Sequence, residues 1–320
     1  MENDNVLDNL YEIQQNFSRN NISMTSLVRD LNNNNQYVAK IILNNQNNFQ
    51  NEIQITIIAS GLNNPNIIRL IRHGVGTLTF QGEVKNNINY MIFEYCPKGN
   101  LFRYVLLRRF SERHAKYIFK KILLGVQALH NAGYCHKDLK LDNILLDQNF
   151  YPKIFNFSFA KQFQQNNNPI ILNDFVGTRP YSPPQILKRE PYNGEKADIF
   201  SLGVILFTLA SHIFGFNQAT KNDFLYRNIL TGKIDQYWES IFPDIGFNFS
   251  DELKNLYIRM VAPNENNRPN IAEILQHQWF NEINNLNPQQ INQLENEVRN
   301  EFINRENELN QNNQNILNFQ

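Results

Sequence analysis

Residues 134–146 read YCHKDLKLDNILL, and this stretch constrains the chain more than any other. His136, Lys137, Asp138, Lys140 and Asn143 set two lysines, a carboxylate and an amide within eight residues, between apolar flanks. A random polar loop seldom has this order. The plainer alternative is a turn capped by Asp138 and Asn143, since both residue types hydrogen-bond to nearby backbone.

Composition narrows the rest. The chain has 320 residues, 42% hydrophobic and 19% charged, which suffices for one large or two ordinary domains with a real core. A formal net charge of +0 gives no basic excess for nucleic acid or an anionic membrane surface. Cys96 and Cys135 fit small buried hydrophobes of a reducing compartment. The start, MENDNVLDNL, lacks the basic and apolar regions of a signal peptide. IFSLGVILFTLA at 199–210 is too short to span a bilayer and fits a buried helix. The expectation is a soluble, cytoplasmic protein. NNNNQ at 32–36, NNQNN at 44–48, QQNNN at 164–168 and QNNQN at 311–315 are low-complexity patches, read as solvated loops or as sites of aggregation or phase separation.

The 134–146 stretch resembles the catalytic loop of eukaryotic protein kinases, His-Arg-Asp-Leu-Lys-x-x-Asn, with Lys137 in place of Arg. The resemblance covers about residues 11–281. It implies an α+β, bilobal protein-kinase fold, with a small, mainly β N-lobe carrying one helix and a larger, mainly α C-lobe. The expected division is a lead over 1–10, an N-lobe over 11–95, a C-lobe over 96–281 and an Asn/Gln-rich, partly helical tail over 282–320. Asp138 would accept the hydroxyl proton of a protein substrate, Lys140 would stabilise the transferred phosphoryl group and Asn143 would hold magnesium.

Further motifs extend the likeness. YVAKII at 37–42 resembles the Val-Ala-x-Lys strand with one residue fewer before the lysine, so Lys40 would reach the α- and β-phosphates of ATP and Ala39 would touch adenine. Glu52 is the candidate partner of Lys40. NIIRLI and YMIFEY read as the fourth and fifth strands. Glu94 and Cys96 would meet adenine through backbone groups at the hinge, with Phe93 behind the base, Asn100 near the ribose and Leu145 also against the nucleotide. Ser111 can cap a helix whose stripe is Ile118, Ile122, Leu123, Val126 and Leu129, ended by Gly133. GTRPYSPPQ at 177–185 resembles the substrate-facing segment, and Thr178 with Lys140 indicates the Ser/Thr branch. Asp198 would bind backbone of the catalytic loop. Gln185 stands where a Glu pairs with a buried arginine, here Arg268.

Other positions depart from the family. Ser18, Asn20 and Ser23 fall where three glycines let backbone amides approach phosphate, and residues 1–60 contain no glycine. Asn156-Phe157-Ser158 replaces Asp-Phe-Gly, so both magnesium positions, Asn143 and Asn156, are neutral amides where the ion favours an anionic oxygen. The span 159–177 has no Ser, Thr or Tyr to carry a regulatory phosphate. Three readings follow. One is a pseudokinase, or weakly active kinase, acting in signalling through a protein partner or substrate. Another is an active Ser/Thr kinase using ATP with magnesium, Lys40, Asp138 and Asn143. The third is a small-molecule phosphotransferase, which residues 177–185, Asp198 and Arg268 disfavour. After Asn287-Pro288, Ile291, Leu294, Val298 and Phe302 share a helical face that packs on the domain, binds a partner helix or frays in solvent; the polar remainder from 310 reads as disordered.

Overall fold

The computed structural model describes residues 5–44, 49–166 and 168–318. Residues 45–48 of the NNQNN patch and Asn167 of QQNNN lie outside the described residues. The chain divides into two compact units, Met1–Pro97 and Lys98–Gln320.

The first unit is a closed antiparallel barrel of β1 (Asn5–Leu7), β2 (Tyr11–Arg19), β3 (Ser23–Asp30), β4 (Gln36–Ile42), β5 (Leu70–Phe80) and β6 (Glu83–Glu94), in the order β1-β2-β3-β4-β6-β5. One helix, α1 (Phe49–Gly61), follows β4. Leu7, Met24, Val28, Ala39, Ile41, Leu78 and Ile92 fill the barrel. The closing strand β1 turns into β2 through Asp8 and Asn9, at φ 54° and 51°. Two successive left-handed residues make the tight hairpin turn that Asp and Asn tolerate best. β1 also pairs with β5, and Asp8 then accepts a hydrogen bond from Tyr90 at 2.7 Å. Gly76 permits this, because a Cβ there would stand 2.6 Å from the Asp8 side chain. NIIRLI is mostly not strand: β5 begins at Leu70 and runs on through RHGVGTLTF, while Ile67 and Ile68 are buried ahead of it.

The second unit is mainly helical. A short α2 (Phe102–Val105) leads to α3 (Glu112–Asn131), whose first turn is capped by the Ser111 hydroxyl accepting from His114 N at 3.2 Å. Ile118, Ile122, Leu123, Val126 and Leu129 are all buried, and Gly133 ends the helix at φ 83°. Strand β7 (Tyr134–Cys135), a 3-10 turn at Leu141–Asn143 and the pair β8 (Ile144–Leu146) and β9 (Pro152–Ile154) carry the polar stretch of the opening motif. Further on come α4 (Pro184–Lys188), α5 (Gly194–Ser211), α6 (Phe224–Leu230), α7 (Ile234–Ile245), α8 (Asp251–Met260), α9 (Ile271–Leu275), α10 (Asn281–Asn284) and α11 (Pro288–Asn318). Every residue from Ala197 to Ser211 in α5 is buried, as its unbroken apolar run requires. Among the described residues no helix is long and apolar enough to cross a membrane.

The tail departs from its reading in two ways. Leu294, Val298 and Phe302 are buried on α2 and α3, whereas Ile291 is exposed. The backbone stays helical to Asn318 instead of ending in disorder near 310. Once a docked face has nucleated a helix, each further residue adds one backbone bond at little cost, even for Asn and Gln.

Candidate active site

The loop of residues 136–143 is held from below by α5. The fully buried Asp198 carboxylate accepts His136 N at 2.7 Å and Lys137 N at 2.8 Å, and it meets His130 Nε2 at 2.8 Å. Burial lowers the pKa of His136, outweighing the neighbouring Asp198 charge, so the ring is neutral. Its Nε2–H donates to Phe155 O at 3.0 Å, which leaves Nδ1 to accept Asp138 N at 3.3 Å.

Asp138 therefore has a fixed position and is nearly covered. Oδ1 accepts the Thr178 hydroxyl at 2.7 Å, and Oδ2 accepts Asn143 Nδ2 at 3.0 Å. Lys140 Nζ donates to Thr178 Oγ1 at 2.8 Å and lies 3.4 Å from Asp138 Oδ2. The structure thus brings Asp138, Lys140, Asn143 and Thr178 into one cluster.

Asn156 closes this cluster on the other side. Its backbone is left-handed at φ 69°, a conformation asparagine tolerates. Oδ1 accepts the Ser158 hydroxyl at 2.6 Å, while Nδ2 donates to Asn143 Oδ1 at 3.3 Å. The amide orientation is fixed by its neighbours, since turning it over would set two carbonyl oxygens against each other. A chain of donors runs from Ser158 through Asn156 and Asn143 to Asp138. Both amide oxygens that a metal would need are already accepting hydrogen bonds, and neither carries charge. This donor set does not fit magnesium, which favours anionic oxygens in near-octahedral geometry.

Lys137 takes a partner that the sequence reading missed. Its ammonium, on a side chain only 1% exposed, donates to Asp174 Oδ2, and Lys161 Nζ stands 3.7 Å from the same oxygen. Burial pushes the Asp174 carboxyl up, but the Lys137 hydrogen bond and charge, with Lys161, override it and hold the group below the usual carboxylate range. The signal was available: Asp174 is the one carboxylate in 159–177.

In the first unit, Lys40 and Glu52 meet at 2.5 Å, which joins the strand lysine to the first turn of α1. Ala39, in contrast, is corrected. It is 0% exposed and belongs to the barrel interior with Ile41, so it has no surface for a base. Side chains alternate along a strand, which puts Val38 rather than Ala39 on the face that carries Lys40. Met91 and Phe93 of β6 lie opposite Lys40 and Val38 in the ladder and share that face. The apparent one-residue deletion in YVAKII was the clue.

The hairpin between β2 and β3 is also self-contained. Asn20 Oδ1 accepts the backbone amides of Ile22 and Ser23, both at 2.8 Å, and Asn20 N donates to Ser23 O at 3.0 Å. Asn20, one of the three glycine replacements, thereby consumes amides that a glycine-rich turn would present to phosphate.

The remaining positions are placed as follows. Glu94 Oε1 accepts Arg69 N at 2.7 Å at the end of β6, and Cys96 beyond it is buried and outside any disulfide. Asn100 Oδ1 accepts Arg103 N at 3.3 Å, and Asn100 bridges Leu145 through the backbone. Gln185 does meet Arg268: Nη2 donates to Gln185 Oε1 at 2.8 Å. The rest of that guanidinium is satisfied by the carbonyls of Ala262, Lys196 and Pro263, and burial drops its pKa to about 10.

Comparison with known proteins accounts for this arrangement. The family model described as protein kinase domain matches residues 11–280. The chain is 27% identical over 282 residues to CBL-interacting protein kinase 26 of Oryza sativa subsp. japonica, covering 88% of this chain and 54% of that protein. It is 33% identical over 216 residues to the serine/threonine-protein kinase kin-29 of Caenorhabditis briggsae, covering 67% of this chain and 25% of that one. With the serine/threonine-protein kinase SAPK2 of Oryza sativa subsp. indica it shares 30% identity over 273 residues, 84% of this chain and 76% of the relative. The chain thus spans only about half and a quarter of the length of the first two. By the extent of the family match and the loop, strand lysine and α5 aspartate that carry it, the chain belongs to the eukaryotic protein kinase family.

Proposed function

We propose that this chain is a protein kinase-like domain of the Ser/Thr type whose catalysis is impaired, and that it acts in signalling as a protein-binding or allosteric module. The observation that carries this reading is the Asn143–Asn156 pair, at 3.3 Å, with Ser158 closing it. Phosphoryl transfer depends on positioning and charge neutralisation around a metal-bridged triphosphate. Here an uncharged, mutually hydrogen-bonded pair of amides stands where the family places its metal ligands. Lys40, Glu52, Glu94, Cys96, Asn100 and Leu145 are assigned to nucleotide contact, and Val38 takes the base-facing role in place of Ala39. Two buried cysteines outside any disulfide suit a reducing, cytoplasmic setting.

A second reading has its own support. The Asp138–Thr178–Lys140 cluster keeps the geometry that an active Ser/Thr kinase would use, with Oδ1 of Asp138 2.7 Å from a hydroxyl. One experiment separates the two. Purified protein is incubated with ATP, magnesium and generic Ser/Thr peptides, beside an Asp138→Asn control. Impaired catalysis predicts phosphate incorporation indistinguishable from the control. Turnover at rates typical of kinases, about 1–100 per second and lost in Asp138→Asn, overturns the reading.

A further inference from the structure

The second unit carries a groove of about 490 Å³ between α6 and α7, built from none of the candidate active-site residues. Asn228 lines it and is only 8% exposed. Its backbone carbonyl accepts Lys233 N at 2.8 Å and closes the turn from α6 to α7. Its side-chain amide, in contrast, has no hydrogen-bond partner among the described residues. A covered amide left unpaired is costly, and this one faces an opening from which the missing bond can be supplied. The start of α7 adds a second vacancy. Lys233 stands at the N-cap, and no side chain accepts from the first turn. Those amides have no partner within the helix and mark the positive end of its dipole. Arg227 and Lys233, both exposed on the groove, are in no ion pair among the described residues. Two cations against the carboxylate of Glu239 leave the walls with a single positive charge. One carboxylate matches that excess, whereas a phosphate monoester, with about two charges, would exceed it and lie against Glu239. Beside the charges Phe224 is 61% exposed, with the Arg227 guanidinium 5.6 Å from its ring centre.

We propose that the groove between α6 and α7 docks an acidic segment of a partner protein, taking one glutamate or aspartate side chain next to an apolar residue. The carboxylate accepts from Arg227, Lys233 and the Asn228 amide, and the apolar neighbour covers Phe224. The inference rests on the reading of this chain as a protein-binding module and deepens it by naming the surface and the chemistry of the partner.

Fluorescence anisotropy of the full chain with labelled peptides tests this. The probes are short peptides in which leucine alternates with glutamate, glutamine, lysine or phosphoserine. The glutamate peptide is expected to bind about tenfold more tightly than the glutamine or lysine peptide, the scale of a charge-assisted hydrogen bond. Arg227→Gln combined with Lys233→Gln should weaken it by about tenfold or more, and Glu239→Gln should tighten it about threefold by removing a like charge. Asn228→Ala should weaken it about fivefold through the lost donor. Circular dichroism checks each fold; if Asn228→Ala does not fold, the Arg227, Lys233 and Glu239 changes, all at exposed positions, carry the test. No binding of the glutamate peptide at millimolar concentration overturns the inference, and so does binding that the Arg227 and Lys233 changes leave intact. Tighter binding of the phosphoserine peptide also overturns it, because the groove would then be a phosphate site. Each of these outcomes leaves the impaired-catalyst reading untouched, since phosphate incorporation decides that separately.

Discussion

Asn156 is held at both ends, by Ser158 on its oxygen and by Asn143 on its nitrogen. Replacing it with aspartate removes the donor and faces a carboxylate with the Asn143 carbonyl across about the same gap. Two acceptors without a proton between them repel, so Asn156→Asp should lower thermal stability in chelator and regain it with magnesium or manganese. The native protein should show no such metal dependence; a thermal-shift series with both proteins decides it. Gln185 is likewise held at both ends: its Oε1 accepts Arg268 Nη2 at 2.8 Å and its Nε2 donates to Pro263 O at 2.8 Å. Gln185→Glu adds a charge opposite the guanidinium but removes that donor and sets a carboxylate oxygen against the Pro263 carbonyl, so the two effects oppose and a net gain of less than about 1 kcal/mol in denaturant unfolding is expected. Several of these residues could be read from sequence, because Asp138, Asn143, Asp198 and Arg268 sit in motifs with fixed order. Ala39 could not, since motif spacing argued one way and strand alternation the other. Physical alternation won because a closed barrel leaves an inward side chain no second option.

At the scale of elements, α11 is the least expected piece. Phe302 stacks on Phe150 at 5.3 Å between centroids and meets Tyr104 and Phe110 at 5.3 and 5.2 Å. Arg305, fully buried beside it, donates to the carbonyls of Tyr104, Arg108 and Arg109 at 2.7, 2.6 and 2.8 Å and covers the Phe110 ring. Lys98–Glu306 at 2.8 Å and Arg108 against Glu301 and Glu308 frame the contact. Phe302→Ala should cost about 3–5 kcal/mol in chemical denaturation, the range for deleting a buried aromatic ring. A value below about 1 kcal/mol would mean the helix is only loosely seated. The apolar stripe made Leu294, Val298 and Phe302 legible. Arg305 was not: it pairs with Glu301 at 2.8 Å, as many solvated helix pairs do, and its other partners are backbone carbonyls, so no hydrophobic pattern announced its burial. Strand β1 was missed for a related reason: three residues are too few for periodicity, and only the Asp8-Asn9 turn marked it.

For the molecule as a whole, the stability of the second unit should depend on acid through Asp174. Its carboxyl titrates lower in the folded protein than in the unfolded chain. Its contribution is therefore complete above the ordinary carboxylate pKa, about 3.9, and is lost as pH falls through the depressed folded value. Asp174→Asn should be less stable by about 1–2 kcal/mol at neutral pH, less than a fully buried pair would lose, because the Asp174 side chain is 36% exposed. That deficit should shrink toward zero below about pH 4, and paired urea melts across pH measure it. A deficit that persists at low pH would mean the aspartate acts through packing rather than charge.

The Lys137–Asp174 contact has a consequence for control. A phosphate can be written onto a loop and erased from it. An aspartate encoded in the gene is present from synthesis to degradation. A segment pinned this way needs no enzyme to place its charge, and no phosphatase can take that charge away.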